Sequence, residues 1–138
     1  MRKYLYIGIL GAFGAIARYV VEKAPFSLPF YNFPINTLLI NLLGCFLLAF
    51  IIELSYERKI VSSALRLGIT TGFLGAFTTF STLCKEVSDL LTIGKWLFAL
   101  IYILSLLILG FLSIYTANKL AKAAIKMLGR KEEVQIWD

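Results

Sequence analysis

Thr78, Thr79, Ser81 and Thr82 crowd around Phe80 in the middle of residues 68–86, a stretch otherwise apolar enough to lie in a membrane. Hydroxyls buried in hydrocarbon cost free energy unless each finds a partner or lines a wet path. Backbone that leaves the helix at membrane depth is tolerated only where protein buries it or water reaches it. The pattern therefore predicts a broken helix that builds a small polar site. Phe80 adds a ring whose edge is weakly positive and whose face is negative. Its edge could attract an anion, although core packing is the ordinary use of a lone Phe.

Other polar residues sit in apolar surroundings. Thr37 and Asn41 are spaced i, i+4 and share a helix face, with Gly44 nearly in line to clear space. A buried amide is expensive unless both its NH₂ and its C=O are used. Helix–helix bonding or donation into a polar path would each satisfy Asn41. Glu86 follows the polar run, with Lys85 beside it. It could pair with Lys85 or Arg18, reach the interface, or act as a gate. Arg18 could snorkel to headgroups or place a fixed positive charge at a vestibule. Tyr102 and Ser105 are spaced i, i+3, with Ser113 further along. These serines either bond their own i−4 carbonyls or flank a path with hydroxyls.

Little else could do chemistry. The chain has no His, and its two Cys, Cys45 and Cys84, lie inside apolar runs, where a thiol behaves as a small hydrophobe. No Cys/His ligand cluster exists, so hydrolytic and redox chemistry lack raw material, and the chain is not expected to be an enzyme.

The elements that position these residues follow from hydropathy. Of 138 residues, 59% are hydrophobic and 16% charged, which marks an integral membrane protein. Four apolar runs separate at about 4–21, 34–54, 65–91 and 96–121, each long enough for a core of about 30 Å. Pro34 suits a first helical turn, and Tyr4, Tyr31, Tyr56 and Trp96 stand near run ends as interfacial aromatics do. The first run lacks a small-residue cleavage site and reads as a helix that stays. Residues 24–33, with Pro25, Pro29 and Asn32, form a turn-rich loop, and residues 88–95 form a tight link with Gly94. The expectation is one domain, 1–138, with a core of about 4–121 and a basic tail at 122–138 that extends the helix along the membrane surface and then becomes disordered.

The net charge of +6 gathers at segment ends, which suits lipid headgroups better than nucleic acid. With four spans, Arg2, Lys3, Arg58, Lys59, Arg66 and the tail cations share one side, against Lys23 and Lys95 on the other. The positive-inside rule makes the termini cytoplasmic. Gly8, Gly11 and Gly14 recur every three residues, and Gly68 and Gly72 form a GxxxG pair. Both patterns let helices approach closely, either within the subunit or between subunits.

Three motifs in order, GAFGAIARY at 11–19, NTLLINLLGCF at 36–46 and GITTGFLGAFTTFSTLCKE at 68–86, resemble the bacterial fluoride channels of the Fluc/CrcB family. The resemblance runs from Tyr4 to about Lys119. It implies an all-α integral membrane fold in the bacterial plasma membrane. Four transmembrane helices make up each subunit, the third is broken mid-membrane, and two subunits pair as an antiparallel dual-topology dimer. It implies a central structural Na⁺ held by backbone carbonyls of Gly75 and Thr78 from both subunits, and two flanking fluoride pores. Asn41 would donate to fluoride and Phe80 would present its ring edge. Thr37, Ser81, Thr82, Leu83, Glu86, Tyr102 and Ser105 would lie along or near the path, and Arg18 beside a vestibule. Fluoride is strongly hydrated, so a dry pore must replace its water with donors that carry no full charge.

Two positions depart from the family pattern. Leu83 stands where a second Phe is usual, and Leu106 where a Ser is usual, with Ser105 beside it. The charge bias of the tail also admits a heterodimer of oppositely oriented paralogues in place of a homodimer. A proton-coupled multidrug-type exporter is the competing transporter. It needs an embedded carboxylate in the first helix, where this chain has Arg18, with Glu22 only at the end. A non-transporting subunit leaves the polar third run unexplained.

Overall fold

The computed structural model describes residues 2–24, 33–58 and 62–135, with side chains described for 3–24, 33–55 and 62–127. The expected loop residues Pro25, Pro29, Tyr31 and Asn32 lie outside this range, as do Lys59 and the last three residues. Every regular element among the described residues is helical. α1 covers Arg2–Lys23 and α2 covers Ile35–Arg58. Pro34 sits just before α2 and accepts the Leu38 N–H at 3.3 Å.

The third span is composite. Ser62 caps its start by accepting from the Leu65 N–H at 3.3 Å. α3, Ser63–Leu67, runs into a π-helical stretch, Gly68–Leu74, and then α4, Gly75–Phe77. The helix stops there. Thr78 (φ −73°, ψ 153°) and Thr79 (φ −143°, ψ 120°) are extended, and α5 restarts at Phe80 and ends at Thr92. The predicted break is present, and it falls on the first two residues of the polar run. The π turns were not legible in the sequence.

α5 closes on Gly94, whose φ of +75° is the left-handed conformation glycine adopts most readily. Lys95 N–H donates to the Leu90 carbonyl at 2.8 Å and Gly94 N–H to Leu91 at 3.0 Å, which engages two carbonyls of the last turn of α5. α6 follows at once and runs unbroken over Trp96–Gln135. At 1.5 Å per residue it is about 60 Å long, twice a hydrocarbon core. The tail continues α6 as helix to Gln135, as expected.

Four spans are long and apolar enough to cross a membrane: Lys3–Lys23, Ile35–Ser55, Ser63–Thr92 and Trp96–Met127. α1 packs on the π-helical stretch and α4, α2 lies along α6, and α5 also leans on α6. Gly14, Gly68 and Gly72 are buried at the first of these interfaces, where Gly72 faces Ile7 and Gly68 faces Tyr6 and Leu10. These small residues serve packing within the subunit. Gly8 has open space around it. The buried cluster is small, with Leu83, Leu90, Ala99 and Tyr102 at its centre and Leu106 packed against it. Most remaining apolar side chains face outward, as lipid-facing residues do.

Candidate functional site

Asn41 and the break belong to one construction. Asn41 Nδ2 donates to the Thr79 carbonyl at 3.0 Å, and Thr79 N–H donates to Asn41 Oδ1 at 2.9 Å. The side-chain amide thus does for Thr79 what a neighbouring strand would do. This pairing fixes which end of the amide is which and leaves its second N–H with no partner among the described residues. Gly44, one turn on, lies against the Thr78 methyl, so the expected clearance is used by the break itself.

The hydroxyls divide into two groups. Thr78 Oγ1 donates back to the Leu74 carbonyl at 2.9 Å. Thr79 Oγ1 caps α5 by accepting from Thr82 N–H at 3.2 Å, and it also meets Thr82 Oγ1 at 2.9 Å and Ser81 Oγ at 3.3 Å. Thr79, which the sequence places in the polar run without a role of its own on the path, is the hub of this cluster. A threonine just before a helix that carries a further hydroxyl at N3 is the available signal.

The break takes the helical donors from four carbonyls, those of Gly75, Ala76, Phe77 and Thr78. In an unbroken helix Thr79 N–H would donate to Gly75 and Thr82 N–H to Thr78. Both donors are diverted, one to Asn41 and one to Thr79 Oγ1. The carbonyls of Gly75 and Thr78, like those of Ala76 and Phe77, are therefore left without their helical donors at the break. Hard oxygen ligands without charge suit an alkali cation. The described residues contain no group of three or more His, Cys, Asp or Glu placed to bind a metal.

A groove of about 470 Å³ runs past this point, lined among others by Asn41, Gly75, Thr78, Thr79 and Phe80. Phe80 is 76% exposed beside it, Ser81 and Gly75 are exposed, and nothing occupies the space beyond Gly75. Leu83 and Leu106 form part of the groove wall, and both pack in the cluster around Tyr102. The two departures from the family pattern are therefore spatial neighbours.

Glu86 is held differently from either pairing expected for it. Lys85 instead joins Asp89, one turn on, at 2.9 Å, and Arg18 Nε stands 3.9 Å from Glu22. Glu86 accepts from Thr37 Oγ1 and from Tyr102 Oη, both at 2.7 Å. Thr37 and Tyr102 are essentially buried, so the carboxylate ties α5 to α2 and α6 through two inward donors. Tyr102→Phe removes one of them and leaves a half-buried oxygen unpaired. We expect a loss of about 1–3 kcal/mol of stability, read as a lower unfolding temperature in detergent.

Ser105 does not join this network. Its hydroxyl donates to the Ile101 carbonyl at 2.6 Å and the Tyr102 carbonyl at 3.0 Å, both in α6. Asn36, which the sequence reading passed over, donates to the Glu22 and Ala24 carbonyls at 2.9 Å each and fastens the end of α1 to α2. Both cysteines are free thiols.

Residues 5–118 match the model of the family described as CrcB-like protein, Camphor Resistance (CrcB). The fluoride-specific ion channel FluC 2 of Listeria monocytogenes is 41% identical over 94% of this chain and 95% of its own length. FluC 2 of Carboxydothermus hydrogenoformans is 44% identical over 93% of each chain. FluC of Chlorobium phaeobacteroides is 42% identical over 86% of this chain and 91% of its own. Four apolar spans and bacterial channel relatives make this a multi-pass protein of the bacterial plasma membrane. With the match reaching from the first span into the last and passing through the clamped break, the chain belongs to the CrcB-like family.

Proposed function

We propose that this protein is a fluoride-selective channel that lets fluoride leave the cell passively and so lowers its cytoplasmic concentration and toxicity. The observation that carries the reading is the mid-span break, clamped by Asn41 and open onto a groove. The names of the relatives, fluoride-specific ion channels, supply the ion.

A dehydrated fluoride needs donors in place of water. The second N–H of Asn41 is one, and the hydroxyls of Ser81 and Thr82 are others within the same cluster. Phe80, exposed at the groove, would turn its positive edge to the ion. Thr37, Glu86 and Tyr102 would hold the polar end of the path, with Leu83 as wall and Arg18 at a vestibule. Ser105, spent on its own helix, contributes least. None of these groups needs to form or break a covalent bond. A negative-inside potential drives an anion outward without coupling or catalysis.

Extended backbone and carbonyls without helical donors at mid-span cannot face lipid. A second copy covering the break in antiparallel orientation would solve this and complete the groove. The carbonyls of Gly75 and Thr78 fit a Na⁺ ion, which when bound would join the two breaks. Several relatives carry the number 2 in their names, which keeps a partner of a different sequence in view.

The multidrug-type exporter is disfavoured, because the only acidic residue of α1 is Glu22, at the end of the helix beside Arg18. Expression in a fluoride-sensitive bacterium tests the reading. Restored growth in fluoride, with no gain of resistance to cationic drugs, is the expected result. Drug resistance without fluoride resistance would reverse it. Leu83→Phe is expected to keep or raise fluoride throughput in the same cells, since the side chain borders the groove. A complete block would show that the wall here is shaped for leucine.

A further inference from the structure

α5 has two unlike faces. Inward, Leu83 and Leu90 are buried with Ala99 and Tyr102 of α6, and Glu86 is held by Thr37 and Tyr102. Outward stand Ser81, Lys85, Ser88 and Thr92, all exposed. Their spacing of i, i+4, i+7 and i+11 makes one polar stripe along the helix. On its flank Lys85 Nζ meets Asp89 Oδ2 at 2.9 Å, and both residues are exposed.

The depth of this stripe matters. The break divides the span Ser63–Thr92 near its middle. Lys85 follows Phe80 by about 8 Å along the helix, well within half of a core about 30 Å thick. Charged groups at such depth pair with one another and face protein or a water-filled cavity. Snorkelling would carry a lone lysine head to the surface. Here the ammonium is committed to a carboxylate, and the hydroxyls begin at the break itself, where Ser81 Oγ meets Thr79 Oγ1 at 3.3 Å. Water is the solvent that suits the whole stripe.

The charges nearby come in balanced pairs. On α1, Arg18 stands 3.9 Å from Glu22, and on α5 Lys85 covers Asp89. Glu86 is close enough to feel the charges of both Glu22 and Lys85. Carboxylates at the entry of an anion path repel the ion before it arrives unless cations stand among them. We propose that the outward face of α5 is wetted and forms part of the ion's entry beside Glu86, and that Lys85 determines its anion preference by cancelling the charge of Asp89. The wetting does not depend on which ion is carried, whereas the role in entry rests on the fluoride reading above.

Cys84 is a native reporter of this face, exposed and three and four residues from Ser81 and Ser88. With Cys45→Ser it becomes the only thiol. The test treats the purified full chain in liposomes with two membrane-impermeant thiosulfonates, one anionic and one cationic, and reads the rate of each. Cys84 is expected to react with both. Phe13→Cys, made with Cys45→Ser and Cys84→Ser, places the thiol on the exposed apolar side of α1 and is expected to react with neither. The ratio of anionic to cationic rates cancels any change in the thiol itself. Lys85→Gln is expected to lower it about fivefold, since a unit charge about 8 Å away in a water-like dielectric shifts each rate about twofold in opposite senses. Asp89→Asn is expected to raise it by a similar factor, and the double variant to restore it. Salt at about 1 M is expected to erase these differences. Both side chains are exposed, so neither substitution is expected to disturb folding. Fluoride currents in planar bilayers are expected to follow the same order, lower for Lys85→Gln and higher for Asp89→Asn.

No reaction at Cys84 would refute the wet face. A rate ratio that neither substitution moves, or that both move the same way, would refute the charge role and leave Lys85 a snorkelling residue. Ratios that move as expected while the currents do not would place the pair outside the ion's entry. No fluoride current from the unmodified protein would overturn the fluoride reading and the entry role with it, while the labelling would still decide whether the face is wet.

Discussion

Asn41→Asp is expected to abolish fluoride flux while leaving a folded protein. The amide makes two bonds to Thr79, donating to its carbonyl at 3.0 Å and accepting from its N–H at 2.9 Å. An aspartate can still accept from the N–H. It cannot donate to the carbonyl unless protonated, and when ionised it sets two negative oxygens against each other. It also puts a full negative charge where the account places a dehydrated anion. Two like charges about 4 Å apart repel by about 4 kcal/mol at an effective dielectric constant near 20, about a thousandfold in occupancy. Fluoride efflux from liposomes, with size-exclusion profile and unfolding temperature as controls, checks the result. Flux equal to that of the unmodified protein would remove Asn41 from the path.

Gly72→Leu is expected to prevent the subunit from packing at all. A Cβ at this position would come within 2.6 Å of the Ile7 carbonyl oxygen and 3.0 Å of its Cα. Over-packing against flexible side chains costs about 1–3 kcal/mol. Here the obstacle is the backbone of α1, which must move away as a unit and take the Gly14 contact with it. Loss of a monodisperse species in detergent is the expected readout. Gly8→Ala serves as the control, because nothing lies near a Cβ there and the substitution should be neutral in the same assay. If both variants fold equally well, the close approach of α1 to the third span is not the one described.

The sequence made some of this plain. Four long apolar runs between turn residues and cations have one physical solution in a bilayer, and the four spans follow. The polar run inside the third marked the break, since hydroxyls and a helix interruption at that depth need each other. Thr37 and Asn41 shared a face by spacing alone, and both do reach the third span, at Glu86 and at Thr79.

Other features were hidden for identifiable reasons. Glu86 has a lysine as its sequence neighbour, but adjacent residues on a helix point apart, and Lys85 finds Asp89 one turn away instead. The true partners, Thr37 and Tyr102, come from two other helices. The π-helical turns leave no trace in a segment that is apolar on every side, because periodicity needs contrast to be read. The helical extension expected after Leu120 is present, and Gly129 does not break it before Gln135.

Fluoride efflux from liposomes containing the purified chain, recorded with a fluoride electrode under a potassium-clamped potential, bears most directly on the claim that the clamped break serves a dry anion path. Fast loss of fluoride that follows the electrical gradient, needs no proton gradient and is undiminished by excess chloride is the expected result. No efflux above protein-free liposomes, or a flux that chloride matches, would contradict it.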